Sequence, residues 1–480
     1  MGGFFGAVTK DECVNDLFYG TDYHSHLGTR RAGMAVFGER GFRRIIHDIS
    51  NAQFRSKFED QLCEFHGHAG IGVISDYEDQ PILITSHHGT YGIVTVSYID
   101  NADEITKDLF SMRRGHFAAT TGMGLNPTEI ISSLIDTQST LIDGLLHVQE
   151  TINGSCSLLI LTDKGEIYAM RDRYGRTPVV LGKGENGYAV ATESTAFYNT
   201  GYTHYRDLGP GEIVKITASG DEVLALPRPD MRICAFFWIY FGFPSSKYEG
   251  INVEEHRYRN GELLARRSPA DVDIIAGVPD SGVAHALGYS HETGIPYKRP
   301  FVKYTPTWPR SFMPPDQTRR QLIANKKLIA IPDFIKGKSI VCLDDSIVRG
   351  TQLRNQAHHL YENGAKEIHM RIACPPLLFG CKFINFSRSS SELDLIARKT
   401  AYEIDGENAN IYDFVDPDGE KYKQMVERIR RRLGLTSLAY QRLDDMIEAI
   451  GLPKERICTY CWDGQDITCP HDCSKCPCHK

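Results

Sequence analysis

Two adjacent carboxylates, Asp344 and Asp345, are the strongest chemical signal in this 480-residue chain. They follow the apolar run Ile340–Leu343 and precede Ser346-Ile-Val-Arg-Gly-Thr351. Paired acids can grip hydroxyls or a hard cation, and a loop of small residues, hydroxyls and backbone N–H groups ahead of a helix can cradle a phosphate. A helix-like segment, Gln352–Glu362, follows. Pro279-Asp-Ser-Gly282 has the same setting, between the apolar run Val272–Val278 and a helical pattern over Val283–Thr293. Taken alone, Pro-Asp-Ser-Gly is equally an ordinary turn. Short apolar runs bounded by turn chemistry read as strands covered on both faces, and two such strands side by side in a parallel sheet bring their loops to one crevice.

Eleven of the thirteen cysteines fall into two classes, Cys234 and Cys381 standing apart. Cys13, Cys63, Cys156, Cys342 and Cys374 stand singly in apolar or mixed surroundings and read as small buried hydrophobes. Cys458 and Cys461 form a C-x-x-C, and Cys469, Cys473, Cys476 and Cys478 crowd the last residues. A disulfide scaffold does not suit so long a chain without a secretory signal, so this second class reads as metal ligands. Cys234 lies in Ile233–Phe241, an aromatic run expected to be a strand.

Composition is that of an ordinary globular protein, 41% hydrophobic and 24% charged, with a net charge of -7. Without a basic excess, nucleic acid is not an expected partner. No apolar run is long enough to span a bilayer and Met-Gly-Gly-Phe-Phe lacks a basic flank, so no membrane association and a cytoplasmic location are expected. The length suggests two or three domains. Strands are expected at Gly70–Ile74, Ile82–Thr85, Tyr91–Val96, Ser157–Thr162, Ile167–Arg171 and Val179–Gly182, with helical patterns at Asp11–Tyr19 and Pro127–Glu150, the latter capped by Asn126. Such grouping fits a layered α+β sandwich. Two prolines in Leu226-Pro-Arg-Pro-Asp-Met231 mark a boundary, giving domains at 1–230 and 231–465 and a Cys-rich tail at 466–480.

The string Asp344-Asp-Ser-Ile-Val-Arg-Gly-Thr351 resembles the phosphoribosylpyrophosphate (PRPP) motif of type I phosphoribosyltransferases, in the version found in the glutamine PRPP amidotransferase family. Ser155–Thr162, Arg171–Pro178, Ala191–Thr195 and Leu208–Ile213 are similar to later parts of that family's glutaminase domain. The resemblance implies an N-terminal αββα sandwich of the N-terminal-nucleophile (Ntn) hydrolase type, followed by an α/β phosphoribosyltransferase domain with a parallel sheet. It implies PRPP binding by Ser281, Lys327, Asp344, Asp345, Ser346, Arg349, Gly350 and Thr351. Ser281, Asp344 and Asp345 would meet Mg²⁺, and Arg310–Arg320 would form a closing loop. It also implies a four-iron four-sulfur cluster on Cys234, Cys381, Cys458 and Cys461, with structural zinc as the competing occupant.

The departures from the family pattern are as informative as the matches. At the position of the family's nucleophilic cysteine this chain has Gly2, which can form no acyl intermediate. Gly72–Asp76 stands where the family carries an arginine for the glutamine carboxylate, and Ser97–Asp100 where it carries the oxyanion-hole turn. The expected activity is therefore formation of 5-phosphoribosylamine and diphosphate from PRPP and an amine donor, as in purine biosynthesis, with ammonia in place of glutamine. A non-catalytic PRPP- or nucleotide-binding regulator, or a PRPP transferase with another acceptor, stands as the alternative. The resemblance further implies a homo-oligomer with purine-nucleotide effectors.

Overall fold

The computed structural model describes residues 2–112, 117, 120–121, 124–303, 328–384 and 392–466. Two compact units form: one from Met1–Cys234, Phe243–Gly250 and Lys382–Asn385, the other from Ala235–Gly242, Ile251–Cys381 and Phe386–Lys480.

Strand alternation builds the first unit. In Gly2–Thr9, Phe4 and Val8 enter one apolar cluster while Phe5 and Ala7 enter another, as a period of two requires. This strand lies between Gly187–Ala191 and Ala69–Ser75 in a seven-stranded antiparallel sheet. Gly154–Thr162 plays the matching part in a six-stranded antiparallel sheet, where Leu159 and Leu161 share the cluster of Phe4 and Val8 while Leu158 and Ile160 turn to the opposite face. Helix Val14–Asp22 covers the first sheet through Leu17 and Phe18. Helices Pro127–Ile135 and Leu141–Thr151 cover the second through Ile131, Leu134, Leu145 and Val148. The layers are therefore αββα, as the resemblance implied. Asn126 caps its helix by accepting a hydrogen bond from the Thr128 N–H at 3.0 Å.

The helical pattern over Pro127–Glu150 proves to be two helices. Thr140 starts the second by accepting from the Asp143 N–H at 3.1 Å. Gly144 then allows the two to pack closely, since a Cβ there would stand 2.8 Å from the Ile135 carbonyl. Ile233–Phe241 is also corrected. Only Ile233–Cys234 is extended, and Phe237–Phe241 forms one wide helical turn closed by the Gly242 N–H on the Phe237 carbonyl at 2.8 Å. Arg257 selects this shape by donating to the carbonyls of Trp238, Tyr240 and Gly242 at 2.9, 3.1 and 2.9 Å.

Buried charge holds Phe243–Gly250 within the first unit. Arg171, fully buried, donates to the carbonyls of Thr177, Gly175 and Leu208 and pairs with Glu249 at 2.7 Å. Glu193, equally buried, pairs with His26 at 2.8 Å and accepts from the Tyr248 hydroxyl and the Phe243 N–H.

The second unit contains a parallel sheet in the order Ile274–Gly277, Ser339–Asp344, Glu367–Ile372, Ser437–Tyr440. Ile275, Val341 and Leu343 pack with Leu264 and Ala265 of helix Val253–Arg267 and with Ala286 and Tyr289 of helix Gly282–Thr293. Gly277 is in register with Leu343, so the first two strands end side by side. Among the described residues no helix is long and apolar enough to cross a membrane.

Candidate functional site

Those two strand ends carry the two loops singled out in the sequence. The Val278 N–H donates to the Leu343 carbonyl at 2.8 Å. A Cβ on Gly282 would stand 2.2 Å from that carbonyl oxygen and 3.2 Å from the Asp344 Cα, so only glycine permits this approach of backbone to backbone. Ser281, at the N-cap of helix Gly282–Thr293, is thereby set against the acidic loop. The Pro279–Asp280 peptide is cis. Asp280 accepts from Lys303 Nζ at 2.6 Å.

In the acidic loop Asp345 is 7% exposed and Asp344 is partly exposed. The Asp345 N–H donates to Asp344 Oδ1 at 3.0 Å, and Ser346 Oγ donates to Asp345 Oδ2 at 2.7 Å. Burial pushes the Asp344 carboxyl well above the usual range, and the neighbouring Asp345 adds to the shift through its charge and a hydrogen bond. A cation or a pair of hydroxyl donors would relieve both causes. The loop closes at Gly350, whose φ of 75° suits glycine and whose Cβ would meet Ile396 Cδ1 at 2.6 Å. Helix Thr351–Glu362 follows, its N-terminus presenting backbone N–H groups to the loop. Arg349 donates to Asp394 at 2.9 Å, the two side chains being about one-third exposed at 34% and 35%.

Ser281, Asp344, Asp345, Ser346, Arg349, Gly350 and Thr351 thus occupy two adjoining loops at one sheet edge. Lys327, and Arg310, Phe312, Pro315, Gln317 and Arg320 of the expected closing loop, lie outside the described residues. Lys303 and Asp394 were not singled out from sequence. Lys303 carries a readable signal, a cation that ends the short strand Phe301–Lys303, whereas Asp394 has none.

At the other position of interest, Gly2 pairs with Ser75 in the neighbouring strand. A Cβ on Gly2 would stand 2.4 Å from the Ile74 carbonyl oxygen. Gly2 borders a small recess, open to solvent, whose lining includes Glu78 and the hydroxyl residues Ser75, Thr95, Ser97, Ser155 and Thr177. The two divergent segments, Gly72–Asp76 and Ser97–Asp100, border it through Ser75, Ser97 and Tyr98. Glu78 accepts from Ser75 Oγ at 3.1 Å and Gln80 Nε2 at 3.0 Å, and burial raises its carboxyl above the usual range. Among the described residues the lining offers a carboxyl group and hydroxyls and no cation.

Cys234, Cys381, Cys458 and Cys461 are in no disulfide. Cys234 belongs to the first unit and the other three to the second. Within the second unit the Cys461 carbonyl accepts from Leu378 and Phe379 N–H at 3.0 and 3.1 Å, which ties the segment leading to Cys381 to the C-x-x-C. Cys458 ends strand Ile457–Cys458 and Cys461 lies in the short helix Tyr460–Asp463, and thiols supplied by neighbouring segments are the donor type that a thiolate-bound cluster requires. The scattered cysteines behave otherwise: burial pushes the thiols of Cys13, Cys156 and Cys374 upward, and that of Cys342 to about 12, so they remain protonated core groups. Cys469, Cys473, Cys476 and Cys478 lie outside the described residues.

Residues 67–199 match the glutamine amidotransferase domain family. Over 96% of its length the chain is 35% identical to the amidophosphoribosyltransferase of Mycobacterium leprae, covering 81% of that protein. It is 31% identical to the amidophosphoribosyltransferase of Methanothermobacter thermautotrophicus, over 98% of this chain and 95% of the relative. The chain belongs to the amidophosphoribosyltransferase family. The solved structure of glutamine PRPP amidotransferase from Bacillus subtilis, complexed with ADP and GMP, aligns with a TM-score of 0.81 at 26% identity, covering 96% of each chain. As a member of this family the protein is a glycosyltransferase-type enzyme, with an Ntn-type glutamine amidotransferase fold and a phosphoribosyltransferase fold.

Proposed function

We propose that this amidophosphoribosyltransferase forms 5-phosphoribosylamine from PRPP and free ammonia, without hydrolysing glutamine, in purine biosynthesis. The N–C1 bond forms as the C1–O bond to diphosphate breaks, and the nitrogen releases a proton. Asp344 and Asp345 accept hydrogen bonds from the ribose hydroxyls, and the Ser346–Thr351 loop holds the 5-phosphate with its N–H groups and hydroxyls. Ser281 faces the diphosphate. Mg²⁺, held through Ser281, Asp344 and Asp345, would neutralise the diphosphate as it departs. By the family likeness Lys327 supplies further positive charge to the diphosphate, and Lys303 steadies the Ser281 loop through Asp280.

Gly2 carries the choice of nitrogen source. It brings no thiol, its surroundings leave no room for a Cβ, and the recess beside it has no described cation for an amino-acid carboxylate. On this reading residues 1–230 are a glutaminase-like domain without glutaminase chemistry, residues 231–465 carry the transferase, and 466–480 form a Cys-rich tail. Cys381, Cys458 and Cys461, with Cys234, are the proposed iron–sulfur ligands. A homo-oligomer controlled by purine nucleotides extends the likeness to the relative solved with ADP and GMP.

The test is diphosphate release from PRPP by purified protein, with ammonium and with glutamine in separate reactions. Ammonium is expected to support turnover and glutamine to leave the background unchanged. Equal rates would refute the nitrogen assignment. Tight PRPP binding without turnover on either would favour a regulator.

A further inference from the structure

His87 and His88 form the two-residue turn between strands Ile82–Ser86 and Gly89–Ile99, far in sequence from Asp136 at the end of helix Pro127–Ile135. The three nevertheless converge, with one potential ligand atom from each lying within 4.8 Å of the others. The imidazole rings stand 3.9 Å apart at 42°. His87 Nε2 is 2.8 Å from the Gln138 carbonyl, and His88 Nε2 is 3.4 Å from the Ile135 carbonyl. The short His87 contact puts the proton on its Nε2 and leaves a lone pair on Nδ1, while His88 Nε2, whose carbonyl contact is long, stands 4.0 Å from Asp136 Oδ1 and can turn its lone pair toward a shared ion. A backbone carbonyl that takes one ring N–H while the other nitrogen stays available is the usual support of a metal-binding histidine. The Asp136 carboxylate is steadied in turn by the Tyr91 hydroxyl, which donates to Oδ1 at 3.2 Å. The group also sits at a helix C-terminus, where the backbone dipole favours a cation.

We infer that His87, His88 and Asp136 form a site for a divalent transition-metal ion of the zinc class, bound by two imidazoles and a carboxylate with water completing the shell. Ligands about 2.1 Å from a tetrahedral zinc stand roughly 3.4 Å from one another, so modest side-chain rotation closes the set. His87 is exposed and has room to rotate, while the side chains of His88 and Asp136 are 5% and 28% exposed and stand 4.0 Å apart from Nε2 to Oδ1, close to the spacing required. Bound metal joins the hairpin turn to the end of the helix, so it acts as a structural clamp within the first unit.

Because the cysteines are proposed to hold metal as well, the test compares variants of the full chain titrated with Co²⁺ after chelator treatment. Wild type is expected to bind one more equivalent than His88→Ala. The difference spectrum should show weak d–d bands and no thiolate charge-transfer band. Asp136→Asn, which keeps an acceptor for Tyr91, and His87→Ala on the exposed face should lose the same equivalent while retaining the unfolding temperature of the metal-free wild type. Metal should raise that temperature in wild type alone. Equal stoichiometry in wild type and all three variants, or a lost equivalent carrying the thiolate band, would overturn the assignment.

Discussion

Restoring a cysteine at position 2 should not restore glutamine use. In Gly2→Cys the new Cβ would lie 2.4 Å from the Ile74 carbonyl oxygen, about 1 Å inside ordinary contact. That oxygen is backbone in the adjacent strand, between the paired positions Gly3–Ile74 and Gly2–Ser75, so it cannot rotate away as a side chain would. Overpacking of this kind costs about 1–3 kcal/mol, or roughly 2–12 °C in the unfolding temperature of a unit this size. Even with the thiol in place, the acyl step would lack a described cation for the glutamine carboxylate and the family's oxyanion turn. Loss of one oxyanion donor alone lowers rates by about 100- to 1,000-fold. The assay pairs thermal unfolding with diphosphate release on ammonium and on glutamine. The expected result is a lower melting temperature, retained ammonia-dependent turnover and no glutamine-dependent turnover. If Gly2→Cys were as stable as wild type and used glutamine as fast as ammonium, the reading of this end of the chain would be refuted.

Asp345→Asn, nearly isosteric and still able to accept from Ser346, should weaken PRPP binding by about 10- to 100-fold as measured by calorimetry, and an unchanged affinity would remove Asp345 from the site. Asp344 is raised by burial and by Asp345, so the folded state holds its proton to higher pH than the unfolded state does. Stability contributed by this group is therefore present at acid pH and lost as pH rises through the raised value. Asp344→Asn should be more stable than wild type in urea at neutral pH, with the advantage vanishing in acid, while PRPP binding in the presence of Mg²⁺ falls at every pH. Gly350→Ala, forced into the left-handed region and against Ile396, should lose about 1–2 kcal/mol of unfolding free energy and bind PRPP more weakly. Anaerobically purified protein should contain iron and acid-labile sulfide in equal amounts, and zinc without sulfide would replace the cluster with a structural zinc site.

Local chemistry was readable and long-range pairing was not. The acidic loop, the strand before it and the Asn126 cap announce themselves because each depends on neighbours within a few residues. Strand Gly2–Thr9 does not, since Gly2, Gly3 and Gly6 give it no β-forming pattern. Its glycines answer to close neighbours such as the Ile74 carbonyl, Leu27 and Leu159, which only the folded sheet supplies. Ile233–Phe241 was ambiguous because an apolar aromatic run fits strand or helix, and Arg257 decides the matter from a distant position. The Lys303–Asp280 and Arg349–Asp394 pairs add charge partners to the site that no spacing rule foretells.

The pairing of Arg171 with Glu249 also bears on where the chain can be divided. Glu249 comes from Phe243–Gly250, beyond the proline-marked boundary, yet it answers a guanidinium buried in the first unit. A shortened gene that began or ended near residue 230 would separate the two, and stranding one member of a buried ion pair costs about 3–5 kcal/mol. Neither product of such a cut keeps its native environment. The first unit is thus closed by a segment that the chain supplies only after passing the proline-marked boundary.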